Sequence, residues 1–168
     1  MSYKFESQKG FTLIELLIVI AIIAILAAVV FVALDPLTRF KDARDSQRYT
    51  DTTQILQAVK LYQVDNGGAL PPNVYDMTTG TVYMIGTATS ACDDQNSVCD
   101  TAVGGDSLCV DLGEIVSAGY LPSVPGSPDG GGAWSTSISG YTMQKSATGT
   151  LTVRSCESEN AAEILVAQ

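Results

Sequence analysis

One acid, Glu15, stands inside an oily stretch: Phe11 to Ile14 precede it, and the nineteen residues from Leu16 to Leu34 carry no charge. A carboxylate held in hydrocarbon costs on the order of 2.5 to 3.5 kcal/mol on insertion scales, so such a residue calls for a cationic partner or a function. Cys92, Cys99, Cys109 and Cys156 all lie beyond that stretch. An even count outside the cytoplasm reads as two disulfides, and four cysteines allow three pairings. Asp93, Asp94, Asp100 and Asp106 gather in one Gly- and Ser-containing loop, where carboxylates supply the oxygen ligands calcium takes, although the spacing fits no EF-hand. A solvated acidic loop is the plainer reading, and no metal site or cofactor is assigned beyond the weak calcium candidates Asp93, Asp94 and Asp100.

Composition narrows the field further. The 168 residues contain no histidine, which removes His-dependent triads, most zinc sites and the usual neutral-pH proton shuttle. With no G-x-S-x-G, P-loop or dinucleotide fingerprint either, the expectation is that the protein is not an enzyme. A net charge of −9 repels phosphate backbones, so general nucleic-acid binding is disfavoured. Charged residues make up only 16%, against roughly 25% in an average soluble domain.

The elements that must position these groups follow from the patterning. From Phe11 to Leu34 a helix rising about 1.5 Å per residue extends roughly 36 Å, enough to cross a hydrocarbon core of about 30 Å. That run is too long, and its ten-residue polar leader ill-proportioned, for an ordinary secretory signal. Ala21, Ala24 and Ala28 recur at spacings of three and four, the small-residue strip that lets helices approach closely in lipid. Once out of the bilayer, a helix apolar on all sides is stable only when other copies cover it.

The leader ends Gln8-Lys9-Gly10 and runs into Phe11-Thr12-Leu13-Ile14-Glu15-Leu16. Here the sequence resembles the type IV prepilins, including the pseudopilins of type II secretion and of DNA uptake. The resemblance implies cleavage between Gly10 and Phe11 by a membrane prepilin peptidase, N-methylation of Phe11, and a homo-oligomeric helical filament raised by a membrane assembly machinery. In that scheme Glu15 of an incoming subunit meets the terminal amine of Phe11 in one already placed, and Ala21, Ala24 and Ala28 line the helix contacts. It also implies a single-pass precursor in the cytoplasmic membrane, surrounded by lipid, with its head outside, then an extracellular pilus. Pilus subunit, pseudopilin and a single-span anchored binding domain are the alternatives, and adhesion, motility, DNA uptake and secretion stay open.

A bare count of bases opposes that orientation, because Arg39, Lys41, Arg44 and Arg48 follow the span while only Lys4 and Lys9 precede it. Asp35 with Arg39 and Lys41 with Asp45 are expected as i,i+4 ion pairs, each contributing a few tenths of a kcal/mol. Pro36 either starts a fresh helix or kinks a continuous one. Ile55, Ala58, Val59 and Tyr62 then form the stripe of a helix lying on a sheet, ended by Asn66-Gly67-Gly68 and Pro71-Pro72. The pattern from Ala43 to Pro71 extends the resemblance to about the first 70 residues.

Beyond Leu70 strands are expected at Thr81 to Ile85, Tyr141 to Lys145 and Thr150 to Cys156, the last two as a hairpin around Ser146-Ala147-Thr148-Gly149. One short helix is expected within Asp111 to Tyr120, and a loop from Leu121 to Gly132. The fold class is thus α+β: a long N-terminal helix laid on a small antiparallel sheet. The organisation expected is a leader at 1–10, a membrane or filament-core helix at 11–34, its amphipathic continuation at 35–66, and a head at 67–168. Within the head the favoured pairing is Cys92 with Cys99 and Cys109 with Cys156, the latter closing 48 residues and stabilising by roughly 4 kcal/mol in the chain-entropy model.

Overall fold

The computed structural model describes residues 10–128 and 130–168. The leader expected at residues 1–10 therefore lies, apart from Gly10, outside the described residues, as does Asp129 of the expected loop. The chain divides into two compact units, one ending at Arg39 and one running from Phe40 to Gln168.

In the first unit, helix α1 (Leu13–Leu34) opens on Thr12, whose extended backbone and side-chain cap satisfy the first turn. It ends at Asp35, which adopts a left-handed conformation with φ 37°. Helix α2 (Pro36–Asp65) starts afresh from there. Proline at the first helical position lacks an N–H that would go unused in any case, and the Thr38 hydroxyl donates to Asp35 Oδ2 at 2.6 Å. The 11-to-65 helix is thus interrupted at one residue, the fresh start being the Pro36 alternative that occurs.

In the second unit, α2 from Phe40 onward packs on a five-stranded, mostly antiparallel sheet, an α+β, pilin-like arrangement. The strands are β1 (Val82–Ile85), β2 (Cys109–Val110), β3 (Tyr141–Lys145), β4 (Leu151–Ser155) and β5 (Leu165–Ala167). Their order is β2-β1-β3-β4-β5, with β2 parallel to β1 and every other pairing antiparallel. The hairpin turn closes where Ser146 N–H donates to Thr150 O, and Gly149, at φ 85°, supplies a left-handed residue that a side chain would strain. Short helices α3 (Pro72–Tyr75) and α4 (Gly113–Ser117) fill the connections. Strands β2 and β5 were not expected: two and three residues are too short for alternation to register.

Strand side chains alternate between faces, and each face has its own core. Ile55, Leu56 and Val59 of α2 meet Ile85, Tyr141, Met143, Leu151 and Val153 on one face. Met84, one residue before Ile85, points to the other, where Cys92, Val103 and Cys156 cover it with Trp134 and Ile138 alongside. The stripe read from Ile55, Ala58 and Val59 is therefore the sheet-facing one, and fully burying each large member contributes about 1.5–3 kcal/mol.

Candidate functional site: two helices and their charges

Thr12 and Glu15 form a reciprocal cap at the start of α1. The Thr12 amide and hydroxyl both donate to Glu15 Oε2, at 2.8 and 2.7 Å, while the Glu15 amide donates to Thr12 Oγ1 at 3.3 Å. This arrangement satisfies otherwise orphaned helix donors. It leaves Glu15 Oε1 without a hydrogen bond from the described residues. Thr12 was not singled out from the sequence, although T-x-x-E ahead of an apolar run is a readable cap signature.

No residue of α1 is buried, and Phe11 just before it is 94% exposed. Its 22 residues extend about 33 Å, long and apolar enough to cross a membrane. Ala21, Ala24 and Ala28 lie on this uncovered helix with no packing partner within it.

The head half of α2 has the opposite character. Arg48 is 0% exposed. Its Nη1 donates to Asp45 Oδ1 at 2.8 Å and Glu159 Oε1 at 2.9 Å, its Nε to Ser127 Oγ, and its Nη2 to Pro128 O, with Glu157 Oε1 3.4 Å away. Arg44 grips Glu159 through both carboxylate oxygens. Asp45 also accepts the backbone N–H groups of Glu159, Asn160 and Ala161, and Glu157 accepts those of Gly131 and the Trp134 indole. The charged cluster thus ties two loops to one helix.

Electrostatics follow the geometry. Burial opposes ionisation of Asp45, but the amides of residues 159–161 and Arg48 outweigh it and hold its carboxyl below the usual range. The Arg44 guanidinium, helped by Arg48, brings Glu159 down to about 2. Burial raises Asp51, only partly offset by the 2.6 Å hydrogen bond from the Tyr141 hydroxyl, and the same burial and carboxylate push Tyr141 up.

These contacts correct the expected ion pairs. Asp45 is occupied by Arg48 and the 159–161 turn rather than by Lys41, and Asp35 takes the Thr38 hydroxyl rather than Arg39. Arg39 and Lys41 make no ion pair among the described residues. Of the four bases that opposed the expected orientation, Arg44 and Arg48 are neutralised within the head.

The disulfide pairing is also corrected. The bridges are Cys92–Cys109 and Cys99–Cys156, with Cα separations of 5.5 and 4.3 Å, in place of Cys92 with Cys99 and Cys109 with Cys156. Cys109 lies on β2 and Cys156 just after β4, three strand spacings apart in the sheet order. At about 4.8 Å per spacing that is roughly 14 Å, twice the reach of a disulfide. The loop between the strands closes the distance: Cys92 N–H donates to Asp106 O, and Asp100 N–H to Cys156 O.

Of the acidic loop, the carboxylates of Asp93, Asp94 and Asp106 lie within 4.8 Å of one another. Asp100 is elsewhere, accepting the Ser158 hydroxyl at 2.6 Å, so the calcium candidates named from sequence do not come together as a set.

Comparison with known proteins adds two findings. Residues 7–31 match the family described as the prokaryotic N-terminal methylation motif. The type IV wide pilus major component PilA4 of Thermus thermophilus is 49% identical over 61 residues, 36% of this chain and 45% of that protein. The chain thus matches a little under half the length of that curated relative. No solved structure matches it.

Proposed function

We propose that the protein is a type IV pilin-like, structural, non-enzymatic subunit of a pilus-type filament, a reading supported by the N-terminal methylation-motif match and the likeness to a pilus component. The observation that carries the reading is α1: a membrane-length helix with no buried residue, most of which lies within the matched methylation motif at residues 7–31. Such a surface is stable in lipid, or when covered by copies of itself.

The subunit begins as a single-pass membrane precursor with its head outside. A prepilin peptidase and methyltransferase removes residues 1–10 after Gly10 and methylates Phe11. Residues 11–34 then form the filament core, with Ala21, Ala24 and Ala28 at the contacts, while 35–66 carry the head at 67–168. Glu15 pairs with the Phe11 amine of a neighbour. The cap gives that pairing a simple form: Oε2 is held by Thr12 of its own chain, and Oε1 is left for the neighbour's amine. Contacts that do not close on themselves propagate as a fibre.

Mass spectrometry of the first peptide, with electron microscopy of sheared surface material, tests the reading. Fibres whose subunits begin at methylated Phe11 are expected. Gly10→Val is expected to leave full-length precursor in the membrane, and Glu15→Val to give processed subunits without fibres. A wild-type protein found only uncut and solitary overturns the reading.

A further inference from the structure

The outer side of the head carries a groove of about 760 Å³ between α2 and the segment before β5. Its rim holds the carboxylate of Asp42, whose Oδ1 accepts the Asn160 side-chain amide, and that of Glu163, which is paired with Arg154, while Tyr49 and Leu165, 58% and 41% exposed, present apolar surface to it. No basic residue lines it. Asp45, also at the groove, is fully engaged by Arg48 and the 159–161 turn.

One feature of the same unit complements this groove in both respects. Phe40 is 63% exposed, and Lys41 is exposed with no side-chain partner among the described residues. Other head cations are engaged: Arg44 and Arg48 by the acidic cluster, Arg154 by Glu163, Lys60 by the Gln63 side-chain carbonyl, and Lys145 by Val74 and Tyr75 carbonyls. At 100° per residue Phe40 lies about 160° around the helix from Asp42. Phe40 therefore faces away from the groove, while Lys41, 100° from Asp42, pairs with no carboxylate among the described residues of its own chain.

We propose that the groove is the acceptor for Phe40 and Lys41 of a second copy of this chain, the aromatic ring lying on Tyr49 and Leu165 and the ammonium meeting Asp42. Each copy offers one donor and one acceptor, and with Phe40 turned away from the groove of its own chain the contact is made to the next copy, as a head-to-tail association requires. This rests on the filament reading above and adds to it a head-to-head contact separate from the α1 core. Desolvated opposite charges at such a contact set register and select the correct partner.

The test is charge reversal in the full chain, measured as sheared fibre per cell against total subunit. Lys41→Glu is expected to lower fibre yield about tenfold, and Phe40→Ala severalfold. Combining Lys41→Glu with Asp42→Lys is expected to restore most of it. Lys41 has no partner to lose, so the head should keep its melting temperature and both disulfides, separating assembly from folding. Wild-type yield for Lys41→Glu, or failure of the charge swap to rescue, overturns the proposal. So does a Lys41→Glu chain that leaves the membrane fraction without any change in fibre yield, which would assign the lysine to lipid. A wild-type chain that is processed but makes no fibres overturns the filament reading itself.

Discussion

Helix α1 and the head half of α2 invert the usual rule of burial. The apolar helix, Leu13–Leu34, hides nothing, whereas α2 inserts Asp45, Arg48 and Asp51 into the head beside Ile55 and Val59. Apolar surface is buried wherever it finds cover, so uncovered apolar surface marks a helix completed by something outside the chain. Buried charge, in contrast, persists only where partners compensate it. Three carboxylates around two guanidiniums supply that compensation here. One helix is unfinished within the monomer and the other is finished by its own loops.

That contrast is open to attack, beginning where the effect should be largest. Removing the Cys99–Cys156 bridge by double serine substitution should cost roughly 4 kcal/mol, against roughly 3 for Cys92–Cys109, because it closes the longer loop. Arg48→Met removes the buried cation shared by Asp45, Glu157 and Glu159, leaving Asp45 and Glu157 with only neutral donors and Glu159 with Arg44, and a loss of about 3 kcal/mol is expected. Denaturant titration followed by Trp134 fluorescence measures it, since the Trp134 indole bonds Glu157 in that cluster. A loss below about 1 kcal/mol would show that the charges do not hold the loops.

Next come two matched truncations. Ile55→Ala opens a cavity in the head core and should destabilise it by about 2–4 kcal/mol. Ile22→Ala on α1 should leave head stability unchanged within about 0.5 kcal/mol, as exposed positions do, while reducing fibre yield. Equal effects on folding would erase the distinction between the helices.

The smallest expected effect concerns pH. Glu159 is depressed from 4.5 to about 2. The stability it contributes is therefore complete above about pH 4.5 and lost as pH falls toward 2. Asp51, raised by burial, acts with opposite sign and weakens the head less as pH falls. Glu159→Gln should flatten the acid limb of a melting-temperature profile across that window, and an unaltered limb would mean that Arg44 and Glu159 part without consequence.

Much of this architecture could be read in advance. Nineteen uncharged residues after Glu15 require a helix of membrane length, and the spacing of Ile55, Ala58 and Val59 selects the face of α2 that meets the sheet. The Thr12 cap was legible too, since it involves residues three apart. The occupancy of Asp45 was not: Lys41 fits the i,i+4 rule, yet the acid's real partners are Arg48, one turn the other way, and the amides of residues 159–161, more than a hundred positions away.

What the amino-acid order determined by itself is local: where helices start, which runs are apolar, which strand residues alternate. Those properties depend on neighbours within a turn or two, so periodicity encodes them. What only the tertiary structure decided is which distant groups meet. Cys109 is denied to Cys156 because two strands stand between β2 and β4, and Arg48 is buried because two loops close over it. Strand order and loop closure are settled by packing of the whole head, and no short window of sequence contains them.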